Sequence, residues 1–93
     1  MCTNIVEHAV VAGSGKGSHG WFRVERANVS YDHPFHAPLD HALNIDFVDT
    51  AGGIGERIAV ELTVESGREL VNAILAVVDQ AEAFERSSLA VTA

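Results

Sequence analysis

The sequence lacks the features of disulfide-bonded, membrane-spanning and secreted proteins. It contains one cysteine, Cys2, so no internal disulfide can form. No apolar run approaches the roughly 20 residues needed to cross a bilayer. The start of the chain lacks the basic segment, apolar stretch and small-residue cleavage site of a secretory signal. These absences predict a cytoplasmic protein.

Basic residues are also scarce, with six Lys and Arg against thirteen Asp and Glu and a net charge of −7. Nucleic acids and anionic membranes both attract clustered basic side chains. We therefore expect neither nucleic-acid binding nor membrane binding. The glycine-rich segment 12–20 is not a phosphate loop, because Lys16 is followed by Gly17 and a predicted strand. In a phosphate loop the Lys is followed by Ser or Thr and then by a helix.

Alternation of apolar and polar residues predicts four β-strands, at residues 5–11, 21–31, 41–49 and 57–62. Helical spacing then predicts one helix, which begins at Thr63 or at Ser66. The sequence therefore predicts a single α+β domain, a four-stranded antiparallel sheet closed by a C-terminal helix in the order β-β-β-β-α. We assign residues 1–86 to this domain and residues 87–93 to a frayed tail.

The predicted helix has an unusually wide apolar face. One face consists of Leu70, Ile74, Val77, Val78, Ala81 and Phe84. Val71 and Leu75 widen it beyond what packing against one sheet requires. A domain of this size also has a thin core. We therefore expect a homo-oligomer, most simply a symmetric dimer.

The most distinctive stretch runs from residue 31 to residue 41 and contains three of the five histidines, both prolines and two aspartates. Its histidines are His33, His36 and His41. The prolines stiffen the loop, which lowers the entropy lost when side chains converge on a ligand. Imidazoles and carboxylates in such a loop bind a metal, transfer protons or hydrogen-bond the loop into shape.

Our first hypothesis is a metal site that binds zinc, copper or iron. His33, His36 and His41 are the predicted ligands, and His8 or Cys2 is a candidate fourth ligand. His41 begins a predicted strand on its apolar side, so its ring should enter the domain. Such a site suits a small metal-binding protein or a metal-dependent enzyme acting on a small molecule.

Two alternatives stay open at this point. In the first, Asp32 or Asp40 pairs with a histidine for metal-free acid–base catalysis on a small molecule beside Tyr31. The same aspartates would orient the ligand imidazoles if a metal binds. In the second, the chain is a non-catalytic accessory or assembly subunit of a larger bacterial enzyme complex. The sequence does not decide whether the protein is an enzyme.

Three motifs carry a family resemblance. They are the Met-Cys-Thr opening with residues 5–7, the Gly-Ser-Gly-Lys-Gly segment leading to Gly-Trp-Phe at residue 22, and the Ser-Tyr-Asp-His-Pro segment leading to residues 44–47. In these motifs the chain resembles a family of short actinobacterial proteins of unknown function. The resemblance implies a stand-alone bacterial domain and no particular activity. One departure is Val64, which stands where the family pattern has proline.

Overall fold

The computed structural model describes residues 3–51 and 56–92. Its elements are β1 (Ile5–Gly17), β2 (Gly20–Asp32), β3 (Ala42–Val48), β4 (Arg57–Leu62) and α1 (Val64–Thr92). The strands form one antiparallel sheet in the order β1-β2-β3-β4. The predicted α+β class and element order are therefore confirmed.

Strands β1 and β2 are longer than predicted, because most of the glycine-rich segment is itself part of a strand. The two strands pair up to Gly17 and Gly20, which leaves a two-residue hairpin turn. Gly20 has a φ of 111°, a conformation that glycine adopts without strain. At Gly15, an added Cβ would lie 2.8 Å from Ile58 Cδ1 and 3.0 Å from Val24 Cγ2. Glycine there lets β1 pass close to β2 and β4.

The strand register gives the sheet one apolar and one polar face, since directly opposed residues share a face. The apolar sheet face comprises Val29, Tyr31, Leu43, Ile45, Phe47, Ile58, Val60 and Leu62. The polar sheet face comprises Asn28, Ser30, Asp32, Asn44, Asp46, Arg57 and Glu61. The apolar sheet face is only half-buried, so little packs against it.

A single residue, Thr63, connects β4 to helix α1. The Thr63 hydroxyl oxygen accepts a hydrogen bond of 3.0 Å from the Ser66 backbone N–H, and Gly67 N–H donates to the Thr63 carbonyl at 2.9 Å. Thr63 is thus the N-cap, the earlier of the two predicted starts. The helix has 29 residues and continues through the segment predicted as a tail, ending at Thr92. At 1.5 Å per residue its length is about 43 Å.

The helix does not cover the sheet, contrary to our expectation. Gly67 is buried, and a Cβ there would overlap Leu43 Cδ2, so the first helical turn sits directly on β3. The other helix residues whose burial is described, up to residue 88, are exposed. The short connection at Thr63 accounts for this, because it carries the helix away from the end of β4. The molecule is accordingly elongated, at 55 × 31 × 21 Å.

We predict that Thr63→Ala lowers the free energy of unfolding by about 1 kcal/mol, because it removes the N-cap hydroxyl. Chemical denaturation followed by circular dichroism measures this change. Thr63→Ser keeps the hydroxyl and should lose at most about half as much. Wild-type stability in the alanine variant would show that the cap does not stabilise the helix.

Candidate functional site

Two of the predicted metal ligands lie side by side at the start of β3. The ring centroids of His33 and His41 are 4.7 Å apart with an interplanar angle of 28°. On its other side, His41 stacks on Tyr31 with centroids 5.4 Å apart. His41 directly precedes β3 on the side of the apolar sheet face, as the alternation predicted. We call Tyr31, His33 and His41 the histidine stack.

Hydrogen bonds orient His33 within the stack. Its Nδ1 lies 3.0 Å from the Asp40 carbonyl oxygen, and its backbone N–H donates to Asp32 Oδ1 at 2.7 Å. Because a carbonyl can only accept, Nδ1 donates this hydrogen bond, and in a neutral imidazole with its proton on Nδ1 the lone pair is on Nε2. This is the tautomer in which histidine binds metals through Nε2. Asp32 thus positions His33 by accepting its backbone N–H, and Asp40 does so by accepting the ring N–H at its backbone carbonyl.

His36 is held elsewhere, by a carboxylate that sequence reasoning missed. Glu61 Oε1 accepts hydrogen bonds from the backbone N–H groups of His36 at 3.0 Å and Ala37 at 2.8 Å. Its Oε2 accepts the Phe35 N–H at 2.5 Å. We call this arrangement the Glu61 clasp. It ties the histidine-bearing loop to β4, the strand at the sheet edge.

The clasp also changes the acidity of Glu61. Hydrogen bonds from the N–H groups of Ala37 and Phe35 stabilise the ionised carboxylate and hold its pKa below the usual 4.5. The His36 N–H and the charge of its imidazole act in the same direction with smaller effect, against an opposing contribution from desolvation. The carboxylate is therefore ionised at neutral pH.

A hollow of about 230 Å³ lies between the loop and the polar sheet face. Asp32, Asn44, Asp46, Arg57 and Glu61 are among the residues that line it. Inside it Arg57 forms an ion pair with Asp46, and the Asn44 amide donates to the Asp32 carbonyl at 3.3 Å. These polar groups are already engaged with one another.

His8 lies away from the histidine stack. His8 is an exposed residue of β1, paired with Asn28 in the register. Cys2 lies outside the described residues. Within residues 3–51 and 56–92, no group of three or more His, Cys, Asp or Glu side chains is arranged to hold a metal ion. The structure thus brings together His33 and His41 of the predicted ligand set.

The family was identified by comparison with known proteins. The sequence model described as "Family of unknown function (DUF6295)" matches residues 1–87. The chain belongs to this family. The match agrees with the expected membership of a family of unknown function and carries no activity. No curated protein and no solved structure matches the chain. Among the described residues, no helix is long and apolar enough to cross a membrane.

We predict that the Glu61 clasp opens in acid. A carboxyl whose folded pKa is lowered stabilises the structure above its unfolded pKa, near 4.5, and this contribution is lost as the pH falls through the lower folded value. The amide proton shifts of Phe35, His36 and Ala37, followed by NMR from neutral to about pH 3, should move together over that window.

In Glu61→Gln the three amide signals should already be displaced at neutral pH and show no such acid transition. Glu82→Gln, which removes an exposed helix carboxylate, should keep the transition. An unchanged transition in Glu61→Gln would show that another group opens the loop.

Proposed function

We propose that the protein is a non-catalytic assembly or accessory subunit that works as a homo-oligomer. One observation carries this proposal: the apolar sheet face and the apolar side of α1 are both left without a partner in the single chain. Among the described residues, the buried hydrophobic side chains are those of Val24, Ala27 and Ala42. Such a core is too small to stabilise a domain without further burial.

The total exposed area supports association. The chain exposes 7200 Å², whereas a compact 9.9 kDa monomer exposes about 5200 Å². The excess is about 2000 Å² per chain, which lies within the area that each subunit of an obligate dimer buries. An interface of this size would restore the burial expected of a chain this long.

Part of the exposed surface is a contiguous apolar stripe along the helix. The helical apolar stripe consists of Leu70, Val71, Ile74, Leu75, Val77, Val78 and Phe84, which are between 42% and 71% exposed. Monomeric proteins rarely leave apolar patches larger than a few hundred Å² in water. Covering apolar surface with a partner is favourable by about 25 cal/mol per Å², from which the loss of freedom of the two chains on association is subtracted.

We predict that the protein sediments as an oligomer, most simply a dimer, at micromolar concentration. Ile74→Asp places a charge in the centre of the helical apolar stripe and should weaken association at least about 100-fold, since an unpaired buried charge costs several kcal/mol. Asn72→Asp introduces the same charge on the opposite side of the helix and should leave association unchanged.

Sedimentation velocity over a range of concentrations measures both variants against the wild type. A wild-type protein that stays at 9.9 kDa throughout would contradict the proposed function. Equal weakening by both substitutions would show that net charge, and not the apolar stripe, controls association.

The histidine stack favours a second function, binding of a zinc, copper or iron ion by His33 and His41. Their rings are adjacent, and the bond from His33 to the Asp40 carbonyl selects the tautomer that binds metals through Nε2. Two imidazoles leave two positions of a tetrahedral ion for water or a small-molecule substrate. Any such substrate would lie beside Tyr31 and the two aspartates predicted as acid–base groups.

Elemental analysis of protein purified without a histidine tag and equilibrated with zinc tests this second function. We expect about one metal ion per chain in the wild type and a large loss in His33→Ala and His41→Ala. His19→Ala, which changes an exposed histidine in the hairpin turn, should retain the metal. Metal content far below stoichiometry in the wild type would exclude the site.

A further inference from the structure

We infer that two copies of the chain exchange their helices, so that the helical apolar stripe of each covers the apolar sheet face of the other. This inference rests on the proposed function and specifies the surfaces that meet. The occupant of each exposed face is a second copy of this chain. The contact is reciprocal around a two-fold axis, as in most closed homodimers.

The chain's own helix does not cover its own sheet, because the connection holds it away. Thr63 is the single residue between β4 and α1, and its carbonyl and hydroxyl bond to Gly67 and Ser66 in the first turn. Gly67 is seated directly against Leu43. These contacts fix the position of the first helical turn. The remaining turns of α1 continue from there without covering the sheet.

The two uncovered surfaces lie on the same side of the molecule. Gly67 contacts Leu43, a residue of the apolar sheet face, so this side of the helix is turned towards that face. Leu70, Val71 and Ile74 follow Gly67 by three, four and seven residues and therefore share its side of the helix. The apolar sheet face and the helical apolar stripe thus form one continuous apolar surface. We call its two parts the sheet arm and the helix arm.

The dimensions of the two arms match. The apolar sheet face lies on β2, β3 and β4, and three strands about 4.8 Å apart make it roughly 14 Å wide, enough for a helix about 10 Å across. The helical apolar stripe from residue 70 to residue 84 extends about 21 Å along the helix, close to the roughly 23 Å length of the seven-residue strand β3. Placing the helix arm of one copy on the sheet arm of the other covers both arms in both copies at once.

The exchange leaves the other side of the sheet uncovered. The hollow above the polar sheet face, with Arg57, Asp46 and Glu61, lies on the side opposite the exchanged helix. The exchanged helix therefore does not cover the hollow. This separates the surface that forms the oligomer from the surface that carries the polar groups.

Disulfide trapping tests the exchange. In a Cys2→Ser background, Ile45→Cys lies at the centre of the apolar sheet face, and Ile74→Cys lies in the helical apolar stripe. We expect the double-cysteine protein to oxidise mostly to a covalent dimer on a non-reducing gel, with peptide mass spectrometry showing a 45–74 link. The matched control combines Ile45→Cys with Asn72→Cys, on the far side of the helix, and should stay monomeric on the gel.

Several outcomes would overturn the exchange. A 45–74 disulfide within a monomer would mean that the helix folds back onto its own sheet. Covalent dimers of the Ile45→Cys protein alone would indicate sheet-to-sheet packing, and those of the Ile74→Cys protein alone would indicate helix-to-helix packing. Sedimentation of the reduced proteins separates the two proposals: an oligomer without the 45–74 link refutes the exchange alone, and a wild-type monomer refutes the proposed function.

Discussion

The one-residue connection at Thr63 is the constraint on which the rest of the structure depends. It joins the last strand to a 29-residue helix without a loop that could turn the helix back over the sheet. The cap at Thr63 and the seat of Gly67 on Leu43 fix the departure of the helix. Two apolar surfaces, one on the sheet and one on the helix, are consequently exposed together. Thr63 alone gives the chain no loop that could turn α1 back over its own sheet, and we propose that a second chain buries both surfaces.

The histidine-bearing loop is held by a different set of interactions. The Glu61 carboxylate collects three backbone N–H groups, while His33 bonds to the Asp40 carbonyl and stacks on His41. These contacts hold the loop at two places, the Glu61 carboxylate and the histidine stack. The loop is therefore ordered by hydrogen bonds between its backbone and a strand, which was one of the roles open to such a sequence.

The fold was largely predictable, because alternating and helical apolar patterns report strands and helices directly. The candidate site was predictable only in part. The pairing of His41 with His33 was predictable from the alternation of the strand and their closeness in the sequence. The role of Glu61 had no local sequence signal, since it depends on β4 lying beside β3 and below the loop. The helix position was missed because an apolar stripe predicts burial without saying which chain provides it. The short connection at residue 63 was the one sequence feature that indicated where the helix would lie.

The exposed apolar surfaces predict that folding and association occur together, and the most direct test is the thermal unfolding midpoint as a function of protein concentration. A dimer that unfolds to separate chains has a midpoint that rises with concentration. For two chains of 93 residues we predict a rise of about 3 to 4 °C per tenfold increase in concentration. A midpoint that does not change over a hundredfold range of about 1 to 100 µM would contradict the account.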